Sequence, residues 1–344
     1  MTVFDDSWLD DADALSGADQ VLRRLAQAGA RVRREAEESQ AAIASMTGLD
    51  RPRAVVAAGP DARLIRAMLE PHCPVPFLAW PAHGLPGWVG ALDLVIVLAS
   101  SGADVALVST AHEAVWRGAR LVISCPRAST VAEHAADRDT ILLPTSTGDT
   151  LAAAIVALAG LHVMQLGPEV APETVADAMD RVAEQCSPYQ DVASNPAKDL
   201  ALCLAESQPL VWGGSVLAAR ASRRLAEAFR AASGRPALAA DVDELLPILD
   251  AATPRDTFAD PFTDLGSADR QPCLVALDDG TADELVRSAQ SRLRAAAERN
   301  DVRVSMIAHG SGTPMERYAS LLQTGLYGSV YLAVGLGRYL PGAS

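Results

Sequence analysis

"VIVLASSGADVALVSTAHEAVWRGARLVIS", Val95–Ser124, is the stretch that decides the fold. An apolar run ends in Ser-Ser-Gly, a segment with helical spacing follows, and a second apolar run comes after Arg-Gly-Ala-Arg. This order reads as a strand, a small-residue turn, a helix and a second strand. Apolar strands without alternation belong to a parallel sheet covered on both faces. The turn sets backbone N–H groups at a helix N-terminus, which is how many folds hold a phosphate.

The same alternation extends both ways. "RAVVAAGPDARLIRAMLE" (Arg53–Glu70) reads as a strand ending at Gly59 and a helix opened by Pro60 and Asp61. "VPFLAW" and "DTILLP" supply further short strands, and "ADQVLRRLAQAGARVRREAEES" upstream has helical periodicity with a charged face. "LAAAIVALAGLHVMQL" is Ala- and Gly-rich and suits a buried helix better than a membrane span. After a polar connection with two helices, the pattern restarts. "QPLVWGGSVLAARASRRLAEAFRAASG" is a strand, a Gly-Gly-Ser turn and a helix; "RPALAADVDELLPIL" is a strand running into an acidic turn. A Pro/Asp-rich loop (Thr253–Gln271) precedes strand "PCLVALDD", a helix, strand "VRVSMIAHGSG" and a final helix, "TPMERYASLLQTGLYGSVYLAVGLG".

The expected fold is therefore α/β, with two tandem doubly wound units whose mainly parallel sheets are covered by helices. The expected boundaries are an acidic N-terminal segment and helix over 1–50, a first unit over 51–170, a second over 171–338 with the C-terminal helix, and a tail at 339–344. A length of 344 residues fits two domains.

Composition excludes several functions. A net charge of −14 argues against nucleic acid and anionic membranes as partners. Cys73, Cys125, Cys186, Cys203 and Cys273 are scattered and never paired as C-x-x-C, so neither a disulfide framework nor a zinc knuckle is expected. His72, His83, His112, His134, His162 and His309 show no metal-ligand spacing. The acidic start has no basic and apolar leader pattern, and a cytoplasmic location is the expectation. Lys198 is the single lysine, which leaves few candidates for lysine chemistry.

The order strand–SSG–helix–"RGARLVIS", followed by a second unit with a Gly-rich first turn, resembles sugar isomerase (SIS) domains. The junction "NPAKDLALCLAESQPLVWGG" and the final helix are similar to the bifunctional phosphoglucose/phosphomannose isomerase family. That resemblance implies a homodimer without a cofactor or metal that takes fructose, glucose or mannose 6-phosphate. In the family a Ser-x-Ser-Gly-x-Thr loop holds the phosphate; here it is Ala99-Ser100-Ser101-Gly102-Ala103-Asp104. A carboxylate at Asp104 would cap the N–H groups a phosphate uses. The first family loop falls on Ala58-Gly59-Pro60-Asp61, and a third keeps Ser124 and offers a cation in Arg127. In the second unit, Gly213, Gly214 and Ser215 are the matching turn.

Aldose–ketose isomerisation needs a base to move a proton between C1 and C2. The resemblance places the family's glutamate on Asp241 and its histidine on Pro247, with Glu244 as a substitute base. The family's late lysine has no counterpart in "RYLPGAS". His309, at a strand end beside Gly310 and Ser311, is kept as a further catalytic candidate because ligands collect at the carboxyl ends of parallel strands. Two functions follow. One is a sugar-phosphate-binding isomerase with a degenerate catalytic set. The other is a pseudo-isomerase that acts as sensor, regulator or scaffold.

Overall fold

The computed structural model describes residues 4–252 and 270–340. The Pro/Asp-rich loop lies outside the described residues except for its last two positions. The chain forms two compact units, one of residues 28–177 and one that joins the residues up to Gln27 with those from Ala178 onward.

The N-terminal segment runs through a 3-10 turn at Asp6–Leu9 into α1 (Ala12–Ser16) and α2 (Asp19–Ala26), each opened by an acidic residue in its first turn. These helices belong with the second sheet: the Asp5 amide donates to the Gly335 carbonyl at 2.8 Å, and Gln323 Nε2 donates to Leu25 O at 3.1 Å. The acidic N-terminus thus does not stand apart.

The unit of residues 28–177 begins with α3 (Ala28–Ser45). Its sheet contains β1 (Val55–Ala58), β2 (Phe77–Trp80), β3 (Leu94–Leu98), β4 (Arg120–Cys125) and β5 (Thr140–Pro144), in the order β2-β1-β3-β4-β5 with parallel pairing throughout. α4 (Ala62–Leu69), α5 (Val105–Trp116), α6 (Thr130–His134) and α7 (Thr150–Val163) connect or follow these strands. Every residue of β3 is buried, as a strand covered on both faces requires. The register sets Leu98 beside Ser124 and Cys125 beside Pro144, so the ends of β3, β4 and β5 come level. α7 is buried along nearly its whole length, in keeping with its Ala-rich sequence.

α8 (Pro172–Gln185) and α9 (Pro196–Leu204) lead into the second sheet. There β6 (Gln208–Gly213), β7 (Leu238–Ala239), β8 (Pro272–Asp278) and β9 (Arg303–Ala308) are parallel in the order β7-β6-β8-β9. α10 (Val216–Ser233), α11 (Val242–Asp250) and α12 (Glu284–Arg299) lie between them in the chain, and α13 (Pro314–Gly335) closes it. α13 packs on α9 and α10, and its small residues set the distance: a Cβ on Gly325 would run into Leu225, and one on Gly328 into Leu200. The two α/β units and their parallel sheets match the expectation from sequence. Among the described residues no helix is long and apolar enough to cross a membrane.

Candidate functional site

In the first unit the Ser-Ser-Gly turn is built as a tight strand-to-helix connection. The Gly102 amide donates to Ala99 O at 2.8 Å, and Gly102 holds a φ of +68°. A Cβ there would lie 2.6 Å from Ser129 Cβ, so glycine is required both by the dihedral and by the approach of the next turn. Ser129 caps α6, accepting from the Ala132 amide at 3.2 Å and donating to Pro126 O at 2.7 Å. Ser100 shares a 2.8 Å hydrogen bond with Thr150. Ser124 is buried, and its hydroxyl has no hydrogen-bond partner among the described residues. Ser101 and Arg127 are exposed at this edge, and Arg127 has no partner among the described residues.

The N-termini of α5 and α7 at this edge are already occupied. Asp104 Oδ1 accepts from the amides of Ala106 at 2.8 Å and Leu107 at 3.3 Å. Asp149 does the same for Leu151 and Ala152 at α7, and pairs with Arg31 Nη2 at 2.7 Å. The carboxylates therefore take donors that would otherwise face an anion. At α4, Asp61 stands in the N-cap position without a capping hydrogen bond. Gly59 before it has a φ of +96°, and a Cβ there would meet Leu107 at 2.7 Å.

One cluster here was not singled out from the sequence. The loop after β5, Thr145-Ser146-Thr147-Gly148-Asp149, is held along α3: Ser146 donates to Glu38 at 2.7 Å, and Thr147 donates to Glu35. Glu35 is fully buried, its Oε2 has no partner among the described residues, and burial pushes its carboxyl up to about 7. The signal for the loop was present, since "TSTGD" is another small, hydroxyl-rich strand-to-helix turn. The signal for Glu35 was not, because a glutamate in a charged helical stretch reads as solvated.

In the second unit, the ends of β6, β8 and β9 bring Gly213–Ser215, Asp278–Gly280 and His309 to one sheet edge. Gly213 and Gly214 are packing glycines: a Cβ on the first would run into the Ala218 backbone, and one on the second into the Val286 side chain. Ser215 caps α10, accepting from the Ala218 amide at 3.0 Å, and donates its own proton to Asp279 Oδ2. The next amides, Val216 and Leu217, have no partner among the described residues. Gly280, at a φ of +68°, approaches Gly310 so closely that an added Cβ would sit 2.6 Å from its Cα.

Asp241 and Glu244 form a capping box at the start of α11, with the Asp241 amide donating to Glu244 Oε2 at 3.1 Å. Asp243 pairs at the surface with Arg292 at 3.2 Å. Pro247 is inside α11. His309 is half-buried; its Nε2 lies 3.0 Å from Thr324 Oγ1, and burial pushes its imidazole down from the usual range. No group of His, Cys, Asp and Glu that could hold a metal ion is found among the described residues. Lys198 is fully buried, with Nζ donating to Asp10 Oδ1 at 2.7 Å, Gln190 O at 2.7 Å and Pro188 O at 3.0 Å. All of its donors are spent.

Comparison with known proteins gives this arrangement a context. Residues 193–338 match the family described as bacterial phospho-glucose isomerase C-terminal SIS domain. The tagatose-6-phosphate ketose/aldose isomerase of Escherichia coli is similar in structure, with a TM-score of 0.65 and 12% identity, covering 93% of each chain. A glucose-6-phosphate isomerase like protein from Thermus thermophilus aligns with a TM-score of 0.53 and 18% identity, over 95% of this chain and 92% of its own. The C-terminal domain of glucosamine-fructose-6-phosphate aminotransferase from Francisella tularensis gives 0.57 and 12%, over 89% and 95%. At these identities the likeness is one of fold. No curated protein matches the sequence.

Proposed function

We propose, from the match of residues 193–338 to an SIS-domain family, that this chain binds a sugar phosphate as a member of the phosphoglucose/phosphomannose isomerase type. The observation that carries this reading is the difference between helix N-termini. Where α5 and α7 are closed by the side chains of Asp104 and Asp149, α10 is entered through Gly213-Gly214-Ser215 and keeps the amides of Val216 and Leu217 open. Those donors, with the Ser215 hydroxyl, suit a phosphate oxygen. Asp279 opposes it, so an incoming phosphate has to take over the Ser215 proton that Asp279 now accepts. Ser100, Ser101, Gly102, Ser124 and Arg127 remain a second, weaker candidate edge, and Gly59 shapes the turn beside it.

A second reading is favoured by a specific observation. Asp241 and Glu244, the residues on which an isomerase base would fall, are engaged with each other in a capping box, and Pro247, on which the resemblance places the family's histidine, lies inside the helix. A capped carboxylate on a proline-containing helix is poorly placed to move a proton between C1 and C2. This favours a homodimeric sensor or regulator that binds the sugar phosphate without turnover. NMR of fructose 6-phosphate in D2O, with protein near the ligand concentration, separates the two. Deuterium at C2 of an aldose 6-phosphate, lost in Asp241→Asn, establishes isomerase chemistry. Broadened phosphorus resonances without exchange establish binding alone; sharp phosphorus lines and no exchange would sink both.

A further inference from the structure

Thr324 is buried inside α13, and its hydroxyl lies at hydrogen-bond distance from Ser320 O and His309 Nε2, with the neutral Cys186 thiol, a weak partner, beside it. It lies 2.9 Å from Ser320 O, one turn back in the helix, and 3.0 Å from His309 Nε2. A carbonyl can only accept, so it takes the single hydroxyl proton. The threonine oxygen is then left as the acceptor for Nε2–H. The geometry points to a histidine locked by Thr324 as the Nε2–H tautomer, whose Nδ1 lone pair is the hydrogen-bond acceptor of the second-unit edge, taking a hydroxyl proton of a bound sugar. The role of Nδ1 rests on the sugar-phosphate reading above; the tautomer does not.

The surroundings are consistent with a neutral imidazole. Burial is the cause that lowers His309, and no charged neighbour among the described residues acts on it. The charged groups nearby are otherwise engaged. Asp278 Oδ1 accepts from the Gly280 amide, Glu316 is held by Thr313, and Arg317 donates to the carbonyls of Gly312 and Asp279. Cys186 adjoins Thr324, and burial pushes its thiol up to about 12, so it brings no charge. The His309 amide is fixed to Asp278 O at 2.9 Å, which holds the ring's backbone at the sheet edge. His309 makes no Nδ1 hydrogen bond among the described residues. A histidine whose far nitrogen is fixed by a buried partner presents its near nitrogen in one defined state. Thr324 is thus a positioning residue acting through His309.

The test is 15N NMR of His309 in the full chain at pH 7, first alone and then with fructose 6-phosphate, with phosphorus spectra of the same samples. The expected result is a proton on Nε2 in the free protein. Thr324→Val should mix the tautomers, and Thr324→Ser should restore the single one, an effect that loss of packing would not reverse. A proton on Nδ1 in the free wild-type protein overturns the inference. With ligand, broadened phosphorus lines and a moved Nδ1 resonance support both halves. Broadened phosphorus lines with Nδ1 unmoved overturn the acceptor role and leave sugar-phosphate binding standing. Silent phosphorus lines remove that binding and the acceptor role with it, while the free-protein spectrum still decides whether Thr324 sets the tautomer.

Discussion

Glu35 on α3 accepts the hydroxyl proton of Thr147 through Oε1 while its other oxygen, Oε2, is buried with no partner among the described residues. An ionised carboxylate in that position keeps most of its desolvation penalty. The nearby charges do not relieve it, because Asp149 and Glu38 both push the carboxyl further up.

Stability should therefore fall as pH rises. Glu35 is raised from 4.5 to about 7 in the fold, so between those values the folded chain keeps a proton that the unfolded chain releases. Its contribution is fully present below pH 4.5 and lost by about pH 7, amounting to roughly 3 kcal/mol at most. Urea midpoints at pH 5 and 8 should show this drop in the wild type and a much flatter response in Glu35→Gln. Equal slopes would remove Glu35 as the cause.

Replacing Asp104 by threonine, the residue the family resemblance places there, should free the α5 N-terminus of its carboxylate while keeping a hydroxyl cap. The cost in stability should stay below about 1 kcal/mol. Inorganic phosphate is expected to bind at this turn in Asp104→Thr more tightly than in the wild type, read by calorimetry. An unchanged affinity would mean that Asp104 does not guard an anion site.

Lys198→Met should destabilise the chain by about 2–4 kcal/mol, because the carbonyls of Pro188 and Gln190 lose their donor inside the protein. Asp10→Asn should cost less, since the ammonium keeps its bonds to the carbonyls of Pro188 and Gln190 and an amide oxygen can still accept at that position. Equilibrium unfolding of the two variants checks the order, and a larger loss in Asp10→Asn would reverse the assignment.

Gly280→Ala combines a left-handed dihedral with a contact to Gly310, and should cost about 1–3 kcal/mol. It should also shift the amide resonance of His309, which precedes Gly310 and donates to the Asp278 carbonyl. A neutral substitution would show that the Gly280–Gly310 approach does not hold this edge.

How far the sequence could be read differs between elements. β3, with its unbroken apolar run, and the turn through Gly102 were legible because burial on both faces and a positive φ leave direct marks on residue choice. Asp104 as a cap was legible for the same reason, since a carboxylate at a helix start has a local partner. Asp241 and Glu244 were read as base candidates; the structure finds them bonded to each other, a relation three residues apart that the same spacing already permitted.

What the sequence by itself determined is the local chemistry: two runs of strand, turn and helix, the glycines their turns need, and the caps that open their helices. Those features depend on neighbours within a few residues, so their cause and their trace lie in one stretch of chain. The tertiary structure decided the rest. It joined the N-terminal helices to the second sheet, left Glu35 sealed against Thr147, and set Thr324 behind His309. In each of these the properties of a polar group follow from burial and from partners far along the chain, and neither is written in the residues around it.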